Sequence, residues 1–209
     1  MDENNEVQEY GFAESFNYTY ADKFAMEDEY SRHIYINNDI DEGVVENAVY
    51  HIFRYNALDK DVPTEKRKPI IIYINSLGGD IIDGYSLIDA ICVSKTPIYT
   101  VNIGCCFSMA FLIYIAGHKR YSMAHSEFLL HEGSISMGNS MAKFKDHFDF
   151  HYNQVEQGTK EFVLEHSKIS EEVFDKNSRR EWFFLPEEGK NLGVVDYIVG
   201  KDCTLYEII

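Results

Sequence analysis

A glycine pair, a serine and a histidine stand at the ends of three apolar runs. Gly78-Gly79 closes Pro69-Ile-Ile-Ile-Tyr-Ile-Asn-Ser-Leu77, Ser108 follows Pro97-Ile-Tyr-Thr-Val-Asn-Ile-Gly-Cys-Cys-Phe107, and His131 ends His125-Ser-Glu-Phe-Leu-Leu130. Hydrolysis of an amide needs a nucleophile, a base within hydrogen-bond reach and donors for the tetrahedral oxyanion. Ser108 supplies a hydroxyl and His131 an imidazole that can act as the base. Gly79 and Met109 can supply backbone N–H donors, because glycine admits close approach and the start of a helix leaves its first N–H groups unpaired. In a parallel sheet such strand ends lie on one side, where α/β active sites gather. Each feature alone has an ordinary reading. Ser108 fits an N-cap, the glycines fit a tight β–α turn, and His118, His125 and His147 compete with His131 among eight histidines. Neither GxGxxG nor GK[ST] occurs, so the glycine pair is not a phosphate loop.

The elements that must hold these residues follow from period and breakers. Residues 32–37 read as a strand and residues 39–53 as an amphipathic helix, with Val44, Val45, Ala48, Val49, Ile52 and Phe53 apolar and acids in its first turn. A charged loop with a proline covers residues 57–68. Residues 69–75 are apolar without alternation, as in a parallel strand buried on both faces. The helix after Asp80 carries Ile81, Ile82, Tyr85, Ile88 and Ile91 on one side. A third strand over 97–103 runs into Gly104, and the stretch beyond it is apolar all round, as in a buried helix, with Ser108 where strand becomes helix. Two short strands with a turn between them are predicted over 119–124 and 125–131, then a flexible or extended segment over 133–139. A long helix over 140–165 carries the stripe Met141, Phe144, Phe148, Tyr152 and Val155, which suits packing against another subunit. Ser170 caps a helix over 171–177, a proline starts one over 186–193, and a strand over 194–199 follows. Alternating strands and helices of this kind define an α/β fold with right-handed crossovers.

The chain of 209 residues suffices for one domain with a substantial core, and 15 Tyr and 14 Phe supply its large buried surfaces. Nineteen Lys and Arg against 35 Asp and Glu leave a net charge of −16, which argues against a nucleic-acid or anionic-membrane surface. The longest apolar run, around residues 105–116, is too short to span a bilayer. The start, Met1-Asp-Glu-Asn-Asn-Glu6, lacks the basic and apolar regions of a signal peptide. Cys92, Cys105, Cys106 and Cys203 show no metal-ligand spacing and read as reduced core thiols of a cytoplasmic protein. Residues 1–30, acidic and aromatic without a period, read as an extension of a single domain over 31–209.

Three segments carry a resemblance. Tyr73-Ile-Asn-Ser-Leu-Gly-Gly79, Ile103-Gly-Cys-Cys-Phe-Ser-Met109 with Ala116-Gly117, and Arg120-Tyr-Ser-Met-Ala-His-Ser-Glu-Phe-Leu-Leu-His131 resemble, in order and spacing, the YINSPGG, IGxAASMG and RxxxPNSxxMIHQP patterns of the ATP-dependent Clp protease proteolytic subunit family, ClpP. The resemblance runs from Arg32 to Gly193-Val-Val-Asp196. It implies Ser108 as nucleophile, His131 as general base, and Gly79 and Met109 as oxyanion-hole donors. Counting back from the tail, it implies Glu181 as the third catalytic residue, where the family has an Asp, with Asp175 as the fallback. Arg180 matches an arginine used in contacts between rings, and Tyr73 an aromatic of the pocket where the ATPase docks. The implied fold is a crotonase/ClpP-type spiral of β-β-α units with a protruding handle helix. The implied assembly is a homo-oligomer of two stacked heptameric rings, fed with polypeptide substrates by a Clp-type AAA+ unfoldase, with no metal or cofactor in the active site. The acidic residues 1–30 lie where the family builds its axial entrance loops.

Departures from the family pattern are specific. Leu77 replaces a proline, Phe107 a small residue, Ala110 a glycine, and Glu132-Gly133 follows His131 in place of Gln-Pro. Phe107 and Ala110 add bulk beside the catalytic centre. The leading expectation is a serine endopeptidase of unfolded polypeptides inside a ring-shaped compartment. One alternative is a catalytically silent structural subunit of a mixed ring. Another is a crotonase-type acyl-CoA enzyme, which leaves the pairing of Ser108 with His131 unexplained and has no evident CoA-binding cations.

Overall fold

The computed structural model describes residues 31–134 and 140–208. Residues 1–30, read above as an acidic extension, and most of the segment read as flexible or extended lie outside the described residues. From Arg32 onward the chain gathers into one compact unit.

Strands β1 (His33–Ile36), β2 (Ile70–Ser76), β3 (Ile98–Phe107), β4 (Lys119–Met123) and a later β7 (Tyr197–Val199) lie side by side in that order, all parallel. The isoleucine-rich β2 is buried over nearly its whole length, as its unbroken apolarity requires. β5 (Glu127–Leu130) also pairs with β3 in parallel, and β6 (Trp182–Phe184) closes that edge antiparallel to β5. β3 is therefore forked. Residues 99–102 pair with β4, and residues 105–107 pair with β5. The fully buried Asn102 sits at the fork, donating to Glu127 O at 2.9 Å and accepting from the Gly104 N–H at 3.1 Å. On the opposite edge, Asn75 Oδ1 accepts from the Cys105 N–H at 3.2 Å, beside a register shift in β2. Two asparagines thus satisfy backbone groups that the diverging strands cannot reach.

Helix α1 runs through Glu42–Val44, a π turn Val45–Val49, and Tyr50–Leu58. It enters the region expected to be loop, and Phe53 turns out exposed while Ile52 and Tyr55 are buried. α2 (Ile81–Val93) is capped by Asp80, whose carboxylate accepts from the Ile82 and Asp83 N–H groups. Its buried side is Gly84, Leu87, Ile88, Ala90 and Ile91; Ile82 faces solvent instead. The largest revision concerns the third strand. It continues through Gly104 to Phe107, because both its edges find partners there, and the buried helix α3 (Met109–Ile115) starts directly after Ser108, the residue read as the strand-to-helix junction. β4 and β5 do not form a hairpin with each other, since both follow β3. The last strand shortens to residues 197–199, and the expected sequence pattern misses β6 entirely.

The long helix over 140–165 is present as α4, built of Met141–Phe150, a π turn His151–Val155, and Glu156–Glu165. None of residues 141–155 is buried, whereas Val163 near its end is. Phe144, Phe148 and Tyr152 stack in a staircase along the outer part, with ring centroids 6.3 and 5.6 Å apart. α5 (Glu171–Asn177), capped by Ser170, and α6 (Pro186–Asn191) complete the unit. Most of the core lies between the sheet and helices α1, α2 and α3; a smaller cluster with Ile71, Tyr73, Val101 and Tyr121 covers the other face.

Two forked arginine pairs fasten the periphery. Arg32 grips Asp59 at 2.6 and 2.7 Å, and Thr96 donates to the same carboxylate at 2.9 Å. The Arg32 hydrogen bond, despite the opposing effect of burial, holds the Asp59 carboxyl below its ordinary range. Arg120 pairs with Asp196 at 2.9 Å and donates to His166 O at 2.5 Å, tying β4 to the segment before β7 and to the end of α4. Among the described residues no helix is long and apolar enough to cross a membrane. All four cysteines are free; Cys106 is buried, but Cys92, expected in the core, is exposed.

Candidate active site

The C-terminal ends of β2, β3 and β5 converge, and each carries one of the chemistry-bearing features. β2 ends in Ser76 and leads to the glycine pair. Gly78 has φ +100°, and a Cβ added to it would lie 2.8 Å from both Phe107 O and Ser108 Cβ and 3.1 Å from Met109 N. Only a glycine lets this turn lie directly against the β3–α3 junction. On its other side the turn is fixed by Ile40, whose N–H donates to Gly78 O at 2.8 Å and whose carbonyl accepts from the Asp80 N–H at 2.7 Å. Among the described residues, no acceptor meets the N–H of Gly79 or of Met109.

Ser108 stands at the N-cap position of α3, but its side chain makes no capping hydrogen bond. Its backbone has φ 52° and ψ −122°, a positive φ that only one other non-glycine residue among those described adopts. Such a conformation costs about 1–3 kcal/mol and persists only where the surroundings impose it. Here the Ser108 N–H is held by Leu129 O at 2.9 Å and its carbonyl receives the Phe111 N–H at 3.0 Å. The ordinary N-cap account of this serine therefore fails: it holds a sharp, strained strand-to-helix elbow and caps nothing.

His131 follows β5 directly and lines the same small cavity as Ser108, with Ile81, Leu112 and Leu130 on its apolar side and Glu156 and Thr159 on its polar side. Among the described residues, no hydrogen bond joins the Ser108 hydroxyl to the imidazole. The competing histidines are elsewhere. His118 sits at the opposite end of β3, where its Nδ1 accepts from the Ile98 N–H at 2.9 Å and burial lowers its pKa. Ten strand residues separate that end from Ser108, about 30 Å. His125 lies in the turn before β5 and His147 on the projecting half of α4.

Glu181 immediately precedes β6. In the β5–β6 ladder Leu130 pairs with Trp182, so one further step sets Glu181 across from His131. Beyond that step the strands splay, and the Glu132 N–H donates instead to Ser178 O at 2.7 Å. The Glu181 side chain is exposed, and among the described residues no hydrogen bond links it to His131. Asp175, the fallback, is committed to Lys160 at 2.8 Å. β6 is anchored by Phe184, which stacks on Phe128 at 5.3 Å and meets Phe111 edge-on at 6.0 Å. The sequence offers little sign of this strand, because three residues are too few to show a period.

Phe107 does not line the cavity; its ring packs edge-on against Phe183 of β6, 5.5 Å away. Burial raises the thiol pKa of both Cys105 and Cys106, Cys106 strongly, so neither is poised as a thiolate nucleophile. Tyr73 occupies one row of the sheet with Tyr35, Val101, Tyr121 and Tyr197, one residue per strand. It is covered by Tyr35, stacked at 5.0 Å, so that the ring offered to solvent is Tyr35, at 53% exposure. Arg180 is exposed between α5 and β6. Glu156 and Thr159 escaped the sequence reading: nothing in the period of a long exposed helix distinguishes them from its other polar residues.

Comparison with known proteins agrees with this architecture. A family model described as Clp protease matches residues 21–202. The ATP-dependent Clp protease proteolytic subunit 2 of Corynebacterium diphtheriae is 26% identical over 170 residues, which cover 80% of this chain and 82% of that protein. The ATP-dependent Clp protease proteolytic subunit 3 of Parasynechococcus marenigrum is 24% identical over 173 residues, with the same coverage. Among solved structures, a point mutant of ClpP1 from Listeria monocytogenes superposes with a TM-score of 0.71 at 20% identity, over 84% of this chain and 95% of that one, and so shares the fold. The mainly parallel α/β architecture with its projecting helix is the ClpP fold that the motifs led one to expect. With its family model spanning most of its length and its glycine pair, serine and histidine gathered at one sheet end, this chain belongs to the Clp protease family as a divergent proteolytic subunit.

Proposed function

We propose that the chain is an active serine endopeptidase that cleaves unfolded polypeptides, with Ser108 as nucleophile and His131 as general base. In this reading the Ser108 hydroxyl attacks the scissile carbonyl as its proton passes to the imidazole. The Gly79 and Met109 N–H groups receive the oxyanion, and the imidazolium returns the proton to the leaving amine. Water, activated by the same histidine, then releases the acyl group. Glu181 orients the imidazole from across the β5–β6 edge. The observation that carries the proposal is the strained elbow at Ser108, pressed against the glycine pair and sharing its cavity with His131. A Ser108 hydroxyl not yet bonded to the imidazole is compatible with it, since catalytic hydrogen bonds tighten on substrate binding.

Family membership supports the wider reading: stacked heptameric rings of this chain in the cytoplasm, fed by a Clp-type AAA+ unfoldase and needing no metal or cofactor at the site. The exposed Met141 at the tip of α4, together with Arg180, suits contact with the opposite ring. The tyrosine row around Tyr73 suits docking of the unfoldase.

A fluorophosphonate probe labels Ser108 of the folded oligomer and leaves Ser108→Ala unlabelled if this reading holds. No labelling of a well-folded oligomer rejects it. Activity that is absent in the native protein and equally absent in Glu181→Asp and Glu181→Ala identifies a silent ring subunit instead. Stabilisation by acyl-CoA esters in a thermal-shift measurement would point to the crotonase-type alternative.

A further inference from the structure

The polar wall of the Ser108 cavity is built by a residue that the catalytic reading does not use. Glu156 follows the π turn of α4, and its Oε1 accepts from the Gly133 N–H at 2.9 Å. A π turn shifts the residues after it around the helix relative to a regular α-helix, and such turns recur at functional sites. Among the described residues the second carboxylate oxygen has no hydrogen-bond partner. Glu156 lines the cavity of about 30 Å³ beside Ser108 and also a wider one of about 320 Å³. The two share Ile81, Gly133 and Glu156, so the carboxylate stands at their junction. The wider cavity is walled by Phe144, Phe148 and Tyr152.

We propose that Glu156 makes this site selective for a lysine or arginine on the acyl side of the scissile bond, an inference that rests on the endopeptidase reading. From Ser108 a substrate side chain first meets Ile81 and Leu112, which suit an aliphatic stem. It then reaches the aromatic walls and the Glu156 carboxylate, which suit a cationic head. The charges around Glu156 leave this role open to the substrate. Lys160, one turn on, is bound at 2.8 Å to both Glu171 and Asp175. Thr159 is engaged with the Tyr85 hydroxyl at 2.7 Å. Burial raises the Tyr85 pKa, the Thr159 hydrogen bond opposes that rise, and the Glu156 charge adds to it. Arg179 lines a separate cavity that shares Glu132 and Glu156, and Glu132 and His151 also line the wider cavity. An apolar substrate residue would desolvate the carboxylate and leave it unpaired, which is unfavourable.

The test uses the intact oligomer and tetrapeptide aminocoumarins that differ only in the last residue: Lys, Arg, Leu, Phe or Glu. Lys and Arg peptides are cleaved with kcat/KM about ten-fold above Leu. Glu156→Gln, which keeps an acceptor for the Gly133 N–H, brings that ratio near one; Glu156→Asp retains the preference, and Glu156→Lys moves it toward the Glu peptide. A native preference for Leu, or a ratio unchanged in Glu156→Gln, overturns the proposal. A second arm needs no catalysis. Calorimetric titration of Ser108→Ala with tetrapeptides ending in a free Lys or Leu shows tighter binding of the Lys peptide, and the difference vanishes in Ser108→Ala/Glu156→Gln. Binding discrimination without cleavage of any peptide rejects the endopeptidase reading but keeps the cationic subsite. Cleavage without discrimination does the reverse, and a protein showing neither rejects both.

Discussion

The two halves of the candidate site are built from unequal materials. Ser108 and the glycine pair rest on β2, β3 and α3, which are among the most deeply buried elements; all seven residues of α3 are buried. The elbow there is over-determined, held by Leu129 O, by the Phe111 N–H and by the glycine turn lying against it. Glu181 instead hangs from β6, a three-residue edge strand whose one buried side chain is Phe184. Strain can be stored only where packing resists its release, so the nucleophile end is the natural place for the unusual backbone. The edge is the less constrained end, and in the proposed triad Glu181 takes there the place of the Asp that the resemblance implies.

That contrast can be broken from either side. The largest effect belongs to Gly78→Ala. Its Cβ would collide with Phe107 O and Ser108 Cβ at a backbone φ of +100°, and displacing the Gly79 donor and the elbow together lowers fluorophosphonate labelling by at least about 10²-fold. Wild-type labelling in a folded Gly78→Ala protein would show that the glycine turn does not shape the site. Next comes Phe184→Ala, which removes the plug between Phe111 and Phe128. Denaturant titration should find a loss of about 3–5 kcal/mol, with β6 released from β5. Glu181→Ala is milder. A carboxylate on a loose edge orients the imidazole weakly, so kcat/KM falls about ten-fold, against the roughly 10⁴-fold typical of a tightly held triad acid; Glu181→Asp lies between the two proteins. A fall as large as that of His131→Ala would mean the edge is as rigid as the core in the working enzyme.

The smallest effect is on pH dependence and lies at the far end of β3. His118 accepts the Ile98 N–H through Nδ1, and burial lowers its pKa below the ordinary 6.5. The folded state therefore binds the proton less readily than the unfolded chain. Stability associated with this residue is complete above pH 6.5 and declines as the pH falls from there through the lowered folded value. Thermal unfolding followed across that window shows the decline in the native protein, and His118→Gln flattens it. Labelling of Ser108 is unaffected, since the two ends of the strand are independent.

Much of the site was legible in the chain itself. The strand β2 announces itself by uninterrupted apolarity and β3 by its β-branched run, and Gly78-Gly79 and Ser108 fall at their ends because breakers and polar residues mark such junctions. The long projecting helix is visible in its aromatic stripe. Less legible were elements whose stability comes from partners distant in sequence. β3 runs four residues past residue 103 because Asn75, Asn102 and β5 supply hydrogen bonds that no local pattern reveals. β6 exists because Phe184 fits between two aromatic rings, not because Trp182-Phe-Phe184 has a strand's period. Ile82 and Phe53 have apolar types but face solvent, since type alone does not fix which side of a helix meets the sheet.

What the sequence by itself determined is the chemistry on offer: a hydroxyl, an imidazole and two glycines, each at the end of a strand strong enough to be read locally. What only the tertiary structure decided is how those groups stand to one another. The serine became a strained elbow because a glycine turn from another strand lies against it, and Glu156 came to the cavity because a π turn precedes it on a helix whose local pattern marks no such role. Backbone strain and cavity walls arise from contacts between segments far apart in the chain, and periodicity records only the contacts each segment makes with its own neighbours.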